Sequence, residues 1–228
     1  MLNTPPFPYE SGTARERFRH DGYLPLRGLL SEDGLAALQG GAGRLEQLAR
    51  RRDFTMACMD DSPRHMTTLG GHVIAQESRL IPQLYAQPAL RSLIGALTGT
   101  PVIDVPDPVE RHVLNILHRE GDTHGAHTDD YPYALVLFLE APHQPDEGGL
   151  LEYAPQAESL NAISHTSGAP VRTAHHRAGD AYLLRSDTTA HRVTPLTRPG
   201  LRRTVLNFAY TTPTTPPHTT PSAQQLYT

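Results

Sequence analysis

The stretch Glu120-Gly-Asp-Thr-His-Gly-Ala-His-Thr-Asp-Asp130 contains the polar residues around which the rest of this chain has to fold. His127 and Asp129 lie two positions apart in it, and a further histidine, His191, follows downstream. On a β-strand, positions i and i+2 face the same side, so we expect His127 and Asp129 to contact one ion. Two imidazoles and one carboxylate form the facial triad that holds non-haem Fe(II) and leaves adjacent coordination positions open. The sequence therefore predicts a metal site formed by His127, Asp129 and His191.

From Pro101 onward, short apolar segments around this motif alternate with Gly, Pro and Asp. The predicted strands cover residues 112–118, 133–139, 150–153, 181–184, 191–195 and 204–210. Many short strands separated by turn residues predict an all-β barrel or sandwich. The segment 133–139 is apolar on both faces, which is typical of a buried central strand.

The first hundred residues are predicted to be mainly helical. A short amphipathic helix is expected over residues 11–20. Ser31 is a suitable N-cap for a second helix, which the leucine spacing extends to Arg52. A third helix is expected over residues 88–97, with Gly99 as its C-terminal stop. The tail 211–228 begins with a segment rich in Thr and Pro, which pairs poorly in a sheet, and we expect an ordered cover or a loose extension.

Length and charge restrict the class of protein further. A chain of 228 residues predicts one domain with a substantial core. The formal net charge of -4 gives no basic field, so we expect no nucleic-acid partner. Cys58 is the single cysteine, which favours a reducing, cytoplasmic setting. We expect neither a signal peptide nor a membrane span, because no apolar run is long enough.

The order of these elements resembles the Fe(II)/2-oxoglutarate-dependent oxygenases over about residues 101–210. That family combines His-x-Asp, a distal His and a basic residue about ten positions later, with strands between them. The resemblance implies a mainly β fold, with a double-stranded β-helix (jelly-roll) core at about 101–212 after a helical part at 1–100. It implies Fe(II) held by His127, Asp129 and His191, with 2-oxoglutarate and O₂ as co-substrates.

Two adjacent arginines could bind 2-oxoglutarate. The co-substrate chelates iron through its 2-oxo group and C1 carboxylate, so its C5 carboxylate needs a guanidinium at the far end of the pocket. Gly200-Leu-Arg202 matches a common version of the family's motif. Strand alternation instead places Arg203 on the same face as Asn207, which we expect to face the pocket. Both Arg202 and Arg203 stay candidates at this point.

Within the family, the chain most resembles the free amino acid halogenases and their hydroxylating relatives. The stretches that carry this resemblance are residues 78–85, 121–130 and 133–142. The resemblance implies that Arg64 and His124 bind a substrate carboxylate and that Glu110 and Asp130 bind amino groups. It also implies that Asn207 lines the substrate pocket. A zwitterion needs such a cation and such anions.

Three departures from the halogenases change the expected reaction and the expected side-chain pocket. Halogenases of this type have Gly in place of the ligand carboxylate, whereas this chain has Asp129, so we expect hydroxylation of an aliphatic C–H bond. The chain has no Trp, and Ala209 replaces an expected hydroxyl-bearing residue. The expected substrate is a free amino acid or a derivative of one, and a homodimer is possible. The alternatives are an oxygenase for a larger or carrier-tethered substrate and a non-catalytic cupin-like jelly roll.

Other polar residues are expected to play no part in the chemistry, and no general acid or base is assigned. His175 and His176 are adjacent, so a strand would point them to opposite faces, and we expect both at the surface.

Overall fold

A computed structural model describes residues 1–3, 9, 12–157, 159–163, 170–215 and 221–227. Its α-helices are α1 (Gly12–Asp21), α2 (Glu32–Leu45), α3 (Gly71–Glu77), α4 (Leu80–Tyr85), α5 (Pro88–Thr98) and α6 (Pro221–Tyr227). Its strands are β1 (Tyr23–Pro25), β2 (Arg50–Met56), β3 (Ser62–Leu69), β4 (Ile103–Asp104), β5 (His112–Leu117), β6 (Thr123–His127), β7 (Tyr133–Glu140), β8 (Leu151–Tyr153), β9 (Arg172–Ala174), β10 (Ala181–Arg185), β11 (His191–Val193) and β12 (Arg203–Thr211).

The strands form one antiparallel sheet that curls on itself. Its order is β1-β10-β7-β12-β5-β3-β6-β11-β8-β9, with β2 on β3 and β4 on β12. Strand β3 pairs with β5 and also with β6, so it joins the two halves of the path. A cavity lies between those halves. This arrangement confirms the predicted jelly-roll core, and all six predicted strands are present with ends shifted by one or two residues.

Helices α1 to α5 pack against one face of the longer half of the sheet. Helix α5 turns Leu90, Leu93, Ile94 and Leu97 inward, which is the spacing of an apolar helix face. These residues pack in one core cluster with side chains of β7 and β12 such as Phe208. The Ser31 hydroxyl accepts a hydrogen bond from the Gly34 amide at 3.0 Å, as predicted for the N-cap of α2.

One prediction for the N-terminal part was wrong. Helix α2 ends at Leu45 instead of reaching Arg52, because Arg50–Met56 pairs along its whole length with Ser62–Leu69. Helix is still the commonest regular structure in the first hundred residues, but these residues also contain β2 and β3, and β3 is a central strand of the sheet. Pairing with strands distant in sequence overrides local helix propensity here. Helix α1 begins at Gly12, and residue 11 of the predicted helix lies outside the described residues.

The C-terminal segment contains a helix that was not predicted. Strand β12 extends to Thr211, residues 216–220 lie outside the described residues, and α6 then covers Pro221–Tyr227. The Thr68 hydroxyl donates a hydrogen bond to the Leu226 carbonyl at 2.8 Å, which joins α6 to β3. Within the described part of the chain, every helix is too short or too polar to cross a membrane.

Gly148 provides a test of the turn that leads into β8. It has φ 82° and ψ -161°, a region that only glycine adopts readily, and a Cβ there would overlap the Pro195 carbonyl oxygen. We expect Gly148→Ala to lower the free energy of unfolding by roughly 2–4 kcal/mol. Gly200 is a matched control, because its φ is also positive at 83° but its Cβ position is open. Gly200→Ala should lose only about 1 kcal/mol in urea unfolding. Equal losses in the two variants would show that the contact with Pro195 is unimportant.

Candidate metal centre and adjoining cavities

Three predicted ligands converge at one end of β6 and β11. His127 is the last residue of β6, and it lies directly opposite His191, the first residue of β11. The Asp129 Oδ1 atom is 3.6 Å from His127 Nε2 and 3.9 Å from His191 Nε2. One ligand atom from each residue lies within 4.8 Å of the other two, and both imidazoles are buried.

Asp129 reaches the cluster in a way that the sequence did not predict. Strand β6 ends at His127, so the i, i+2 argument from a continuous strand was wrong. Asp129 lies in the following loop, where its amide donates to the Ser186 carbonyl at 2.8 Å. This hydrogen bond ties the loop to the end of β10 and turns the carboxylate toward the two imidazoles.

Backbone carbonyls fix the orientation of both imidazoles. His127 Nδ1 donates to the Gly125 carbonyl at 2.7 Å, and His191 Nδ1 donates to the Thr189 carbonyl at 2.8 Å. Because the proton is on Nδ1 in each ring, the Nε2 lone pairs point at the space beside Asp129. Burial lowers the pKa of His127 well below its usual value and raises the pKa of Asp129. Two imidazole nitrogens and one buried carboxylate are a donor set that fits Fe(II).

The two adjacent arginines occupy different places. Arg203 is buried, and its guanidinium lies 4.9 Å from the centre of the Phe138 ring. It lines a cavity of about 390 Å³, a volume that includes the open mouth, together with the three predicted ligands. It is hydrogen-bonded to Tyr182, and its Nε has no hydrogen-bond partner among the described residues. Burial lowers the pKa of this guanidinium.

Arg202 points to the opposite face of β12. It forms ion pairs with Glu46 at 2.9 Å and with Glu140 at 3.2 Å. Of the two predicted candidates, therefore, Arg203 lies in the cavity beside the metal cluster and Arg202 lies outside it.

A second buried arginine lies on the other side of the cluster. Arg64 on β3 is 1% exposed, and its Nη1 donates to the Ser62 hydroxyl at 2.7 Å. Its Nη2 contacts the Met56 sulfur at 3.7 Å, and its Nε has no hydrogen-bond partner among the described residues. Burial lowers the pKa of Arg64 to about 10. No carboxylate of the described residues forms an ion pair with the Arg64 guanidinium. A ligand carboxylate would supply this missing counter-ion.

His124 lies between Arg64 and the metal cluster. It is opposite Arg64 in the β3–β6 register, and its ring stacks on His127 with centroids 3.9 Å apart. Burial and the neighbouring Arg64 charge lower the pKa of His124 well below its usual value. Its Nε2 lacks a partner in the described part of the chain, so this nitrogen is available to a ligand.

Two carboxyl groups face the same cavity. Burial, followed by the charges of Asp130 and Asp129, raises the pKa of Glu110 to about 8. Glu110 and Asp130 are hydrogen-bonded to each other, and the Ser222 hydroxyl donates to Asp130 at 2.6 Å. A cation that entered here would replace the proton held between the two carboxyl groups.

All five predicted substrate residues line one cavity of about 570 Å³ that includes its open mouth: Arg64, Glu110, His124, Asp130 and Asn207. Asn207 also lines the cavity that contains Arg203, so the two cavities adjoin each other at the metal cluster. The Asn207 Oδ1 atom has no hydrogen-bond partner among the described residues.

Sequence reasoning missed the residues that close this cavity. Ala223, Leu226 and Tyr227 of α6 line it, and Tyr227 is hydrogen-bonded to Asn115. The signal was present, since Pro221 suits the first turn of a helix and the apolar spacing of Ala223 and Leu226 follows it. The surface expectation for His176 was also wrong, because that ring is buried and hydrogen-bonded to Tyr23.

Solved structures place the fold in one class. The carbocyclase SnoK from nogalamycin biosynthesis, described as non-haem and α-ketoglutarate dependent, has a TM-score of 0.71 at 17% identity, covering 92% of this chain and 87% of that one. A Pseudomonas putida prolyl-4-hydroxylase has a TM-score of 0.58 at 15% identity, covering 88% and 97%. EctD from S. alaskensis, solved with 2-oxoglutarate and 5-hydroxyectoine, has a TM-score of 0.62 at 19% identity, covering 92% and 79%. The fold is that of the Fe(II)/2-oxoglutarate-dependent oxygenases.

A match of the sequence identifies the family to which the chain belongs. The family described as Halogenase D matches residues 9–226, and the chain belongs to it. No curated protein matches the chain significantly. Fold and family together confirm the predicted resemblance to the 2-oxoglutarate-dependent non-haem iron oxygenases, the class that uses Fe(II), 2-oxoglutarate and O₂.

The metal cluster makes a direct prediction for binding. We expect one Ni(II) or Co(II) ion to bind per chain in anaerobic calorimetry. We expect His191→Ala to weaken this binding by about tenfold or more, because one of the three metal ligands is lost. His118→Ala is the control, since His118 is hydrogen-bonded to Thr67 and takes no part in the cluster. Unchanged binding by His191→Ala would remove His191 from the ligand set.

Proposed function

We propose that this enzyme hydroxylates an aliphatic C–H bond of a free amino acid or a close derivative, with Fe(II), 2-oxoglutarate and O₂. The observation that carries this proposal is a pair of buried arginines, Arg203 and Arg64, on opposite sides of the His127–Asp129–His191 cluster. Neither guanidinium has a carboxylate partner among the described residues. A buried charge without a counter-ion is costly, so each arginine favours a ligand that brings a carboxylate.

Arg203 fits the C5 carboxylate of 2-oxoglutarate. Its guanidinium stays charged and offers two parallel N–H donors to a carboxylate. Phe138 packs against the guanidinium, and Tyr182 holds it by a hydrogen bond. The other end of 2-oxoglutarate would then lie beside His127 and Asp129, which line the same cavity.

Arg64 fits the carboxylate of the substrate, with His124 and Asn207 beside it. Glu110 and Asp130 line the same cavity and offer negative charge to an ammonium group. A zwitterion satisfies all of these groups at once, whereas an uncharged substrate would leave Arg64 without a counter-ion. This charge arrangement supports a small amino acid over a larger or carrier-tethered substrate, as does the closing helix α6.

Asp129 supports hydroxylation over chlorination. Halogenases that resemble this chain have Gly at this position, which leaves room for a halide on the iron. Here the Asp129 carboxylate points at His127 Nε2 and His191 Nε2 and would fill that coordination position. Membership of the Halogenase D family does not by itself choose between hydroxylation and chlorination, because the two reactions differ in the residue at position 129.

The chain's own residues supply binding and orientation. Bound iron supplies the activation of O₂ and the cleavage of the C–H bond. Arg64, Glu110 and Asp130 hold the two charged ends of the substrate, so that one carbon faces the metal cluster. Met56 and Leu226 contribute apolar surface to the lining of the cavity. No residue is assigned as a general acid or base.

The 2-oxoglutarate assignment predicts different results for the two adjacent arginines. Anaerobic Fe(II) plus 2-oxoglutarate should give a weak visible charge-transfer band. We expect Arg203→Gln to raise the half-saturating 2-oxoglutarate concentration roughly 10- to 100-fold, because a charge-assisted bond is worth about 1.5–3 kcal/mol. Arg202→Gln, which removes two ion pairs outside the cavity, should change this concentration little. Equal effects in the two variants would contradict the assignment of Arg203.

The substrate assignment is tested by succinate release from O₂ and 2-oxoglutarate with each of the twenty amino acids and common variants. We expect at least one to couple to turnover and to gain one oxygen in the presence of excess chloride. With that substrate, Arg64→Gln should lower kcat/KM by about 10-fold or more, because the carboxylate of the substrate loses its charged partner. Arg119→Gln, at an exposed position, is the control. No coupling with any amino acid would favour a larger substrate.

A further inference from the structure

A row of aromatic side chains joins the metal cavity to a groove on the protein surface. Tyr182 lines the cavity that contains the predicted iron ligands and Arg203. Its ring centre is 5.7 Å from that of Tyr23, which lines the surface groove together with Tyr153 and His176. Tyr23 stacks on Tyr153 with ring centres 4.7 Å apart. Redox-active rings in contact therefore extend from the metal cavity to the solvent groove.

Tyr23 has a base at its hydroxyl group. Its hydroxyl lies 2.9 Å from His176 Nε2, and both residues are buried. Burial raises the pKa of Tyr23, so it stays a phenol and donates this hydrogen bond. Burial also lowers the pKa of His176 to about 3, so the imidazole is neutral and accepts it. The His176 ring is held by stacking on Phe138, with centroids 4.5 Å apart.

Among the described residues, no imidazole is hydrogen-bonded to the Tyr182 hydroxyl, and this tyrosine lies beside a positive charge. It is hydrogen-bonded to the Arg203 guanidinium, which cannot accept a proton and can only donate a hydrogen bond to the phenol oxygen. A positive charge on an oxidised Tyr182 would be repelled by Arg203. Loss of an electron is therefore favoured at Tyr23, where the phenolic proton has an acceptor.

We propose that Tyr182 and Tyr23, with His176 as the proton acceptor, form an electron-transfer path that removes oxidising equivalents from the metal cavity when O₂ and 2-oxoglutarate react without substrate. This inference rests on the proposed oxygenase function. The path would protect the metal ligands and the substrate-binding side chains from oxidation during such uncoupled turnover.

The step balances in electrons and protons. An oxidant formed at bound iron would take one electron from Tyr182, which keeps its phenolic proton and regains an electron from Tyr23. The O–H bond of Tyr23 breaks and its proton forms an N–H bond at His176 Nε2, which leaves a neutral phenoxyl radical and an imidazolium. A one-electron reductant of the ascorbate or thiol class in the groove then reduces the radical, and His176 returns the proton.

The test uses iron-loaded full-length protein with 2-oxoglutarate and O₂ but no substrate. Rapid-freeze EPR detects tyrosyl radicals, mass spectrometry locates oxidised side chains, and succinate release reports uncoupled turnover. The variants are Tyr23→Phe, which removes only the hydroxyl, and His176→Phe, which keeps a stacking ring. Tyr210→Phe is the control, because Tyr210 is a buried, stacked tyrosine whose hydroxyl donates to the Tyr85 carbonyl and has no imidazole acceptor. Thermal unfolding checks that each variant is folded.

We expect a tyrosyl radical in the wild type that ascorbate removes. In Tyr23→Phe and His176→Phe, this signal should fall several-fold, and oxidation of cavity residues such as Tyr182 should rise several-fold. Tyr210→Phe should match the wild type. Succinate release with no tyrosyl radical, or an undiminished radical in folded Tyr23→Phe, would overturn the path alone. Absence of both succinate and the 2-oxoglutarate charge-transfer band would overturn the proposed oxygenase function and the path together.

Discussion

Two hydrogen bonds from imidazoles to backbone carbonyls are the constraint on which the metal centre depends. The Gly125 and Thr189 carbonyls hold the Nδ1 protons of His127 and His191, so both Nε2 atoms point at the Asp129 carboxylate. Those carbonyls are in position only because β6 and β11 pair in the register that sets the two histidines opposite each other. The pairing of β6 with β11 therefore determines both the orientation of the two rings and the geometry of the donor atoms.

A buried positive charge without a counter-ion lies on each side of the metal centre. Arg203 and Arg64 are both buried, and in the described residues neither has a carboxylate within ion-pair distance. A fold that only needed stability would avoid such charges or pair them. One unpaired arginine on each side of the metal ligands suits the binding of two carboxylate ligands. Glu110 and Asp130 add the opposite charge beside Arg64, which suits a zwitterion.

The sequence predicted local features well and long-range pairing poorly. Strand alternation correctly indicated that Arg203, and not its neighbour, shares a face with Asn207. The place of β3 in the sheet was missed, because that strand is fixed by pairing with β5 and β6, far along the chain. The position of Asp129 was predicted for a wrong reason, since the strand ends before it and a hydrogen bond to Ser186 turns the loop back.

The central claim is that His127, Asp129 and His191 hold one Fe(II) while Arg203 binds the far carboxylate of 2-oxoglutarate. An anaerobic crystal structure with Fe(II) and 2-oxoglutarate tests it most directly. We expect iron within coordination distance of His127 Nε2, Asp129 and His191 Nε2, and the C5 carboxylate paired with Arg203. Iron bound elsewhere, Asp129 turned away from it, or 2-oxoglutarate held at Arg64 would contradict the claim.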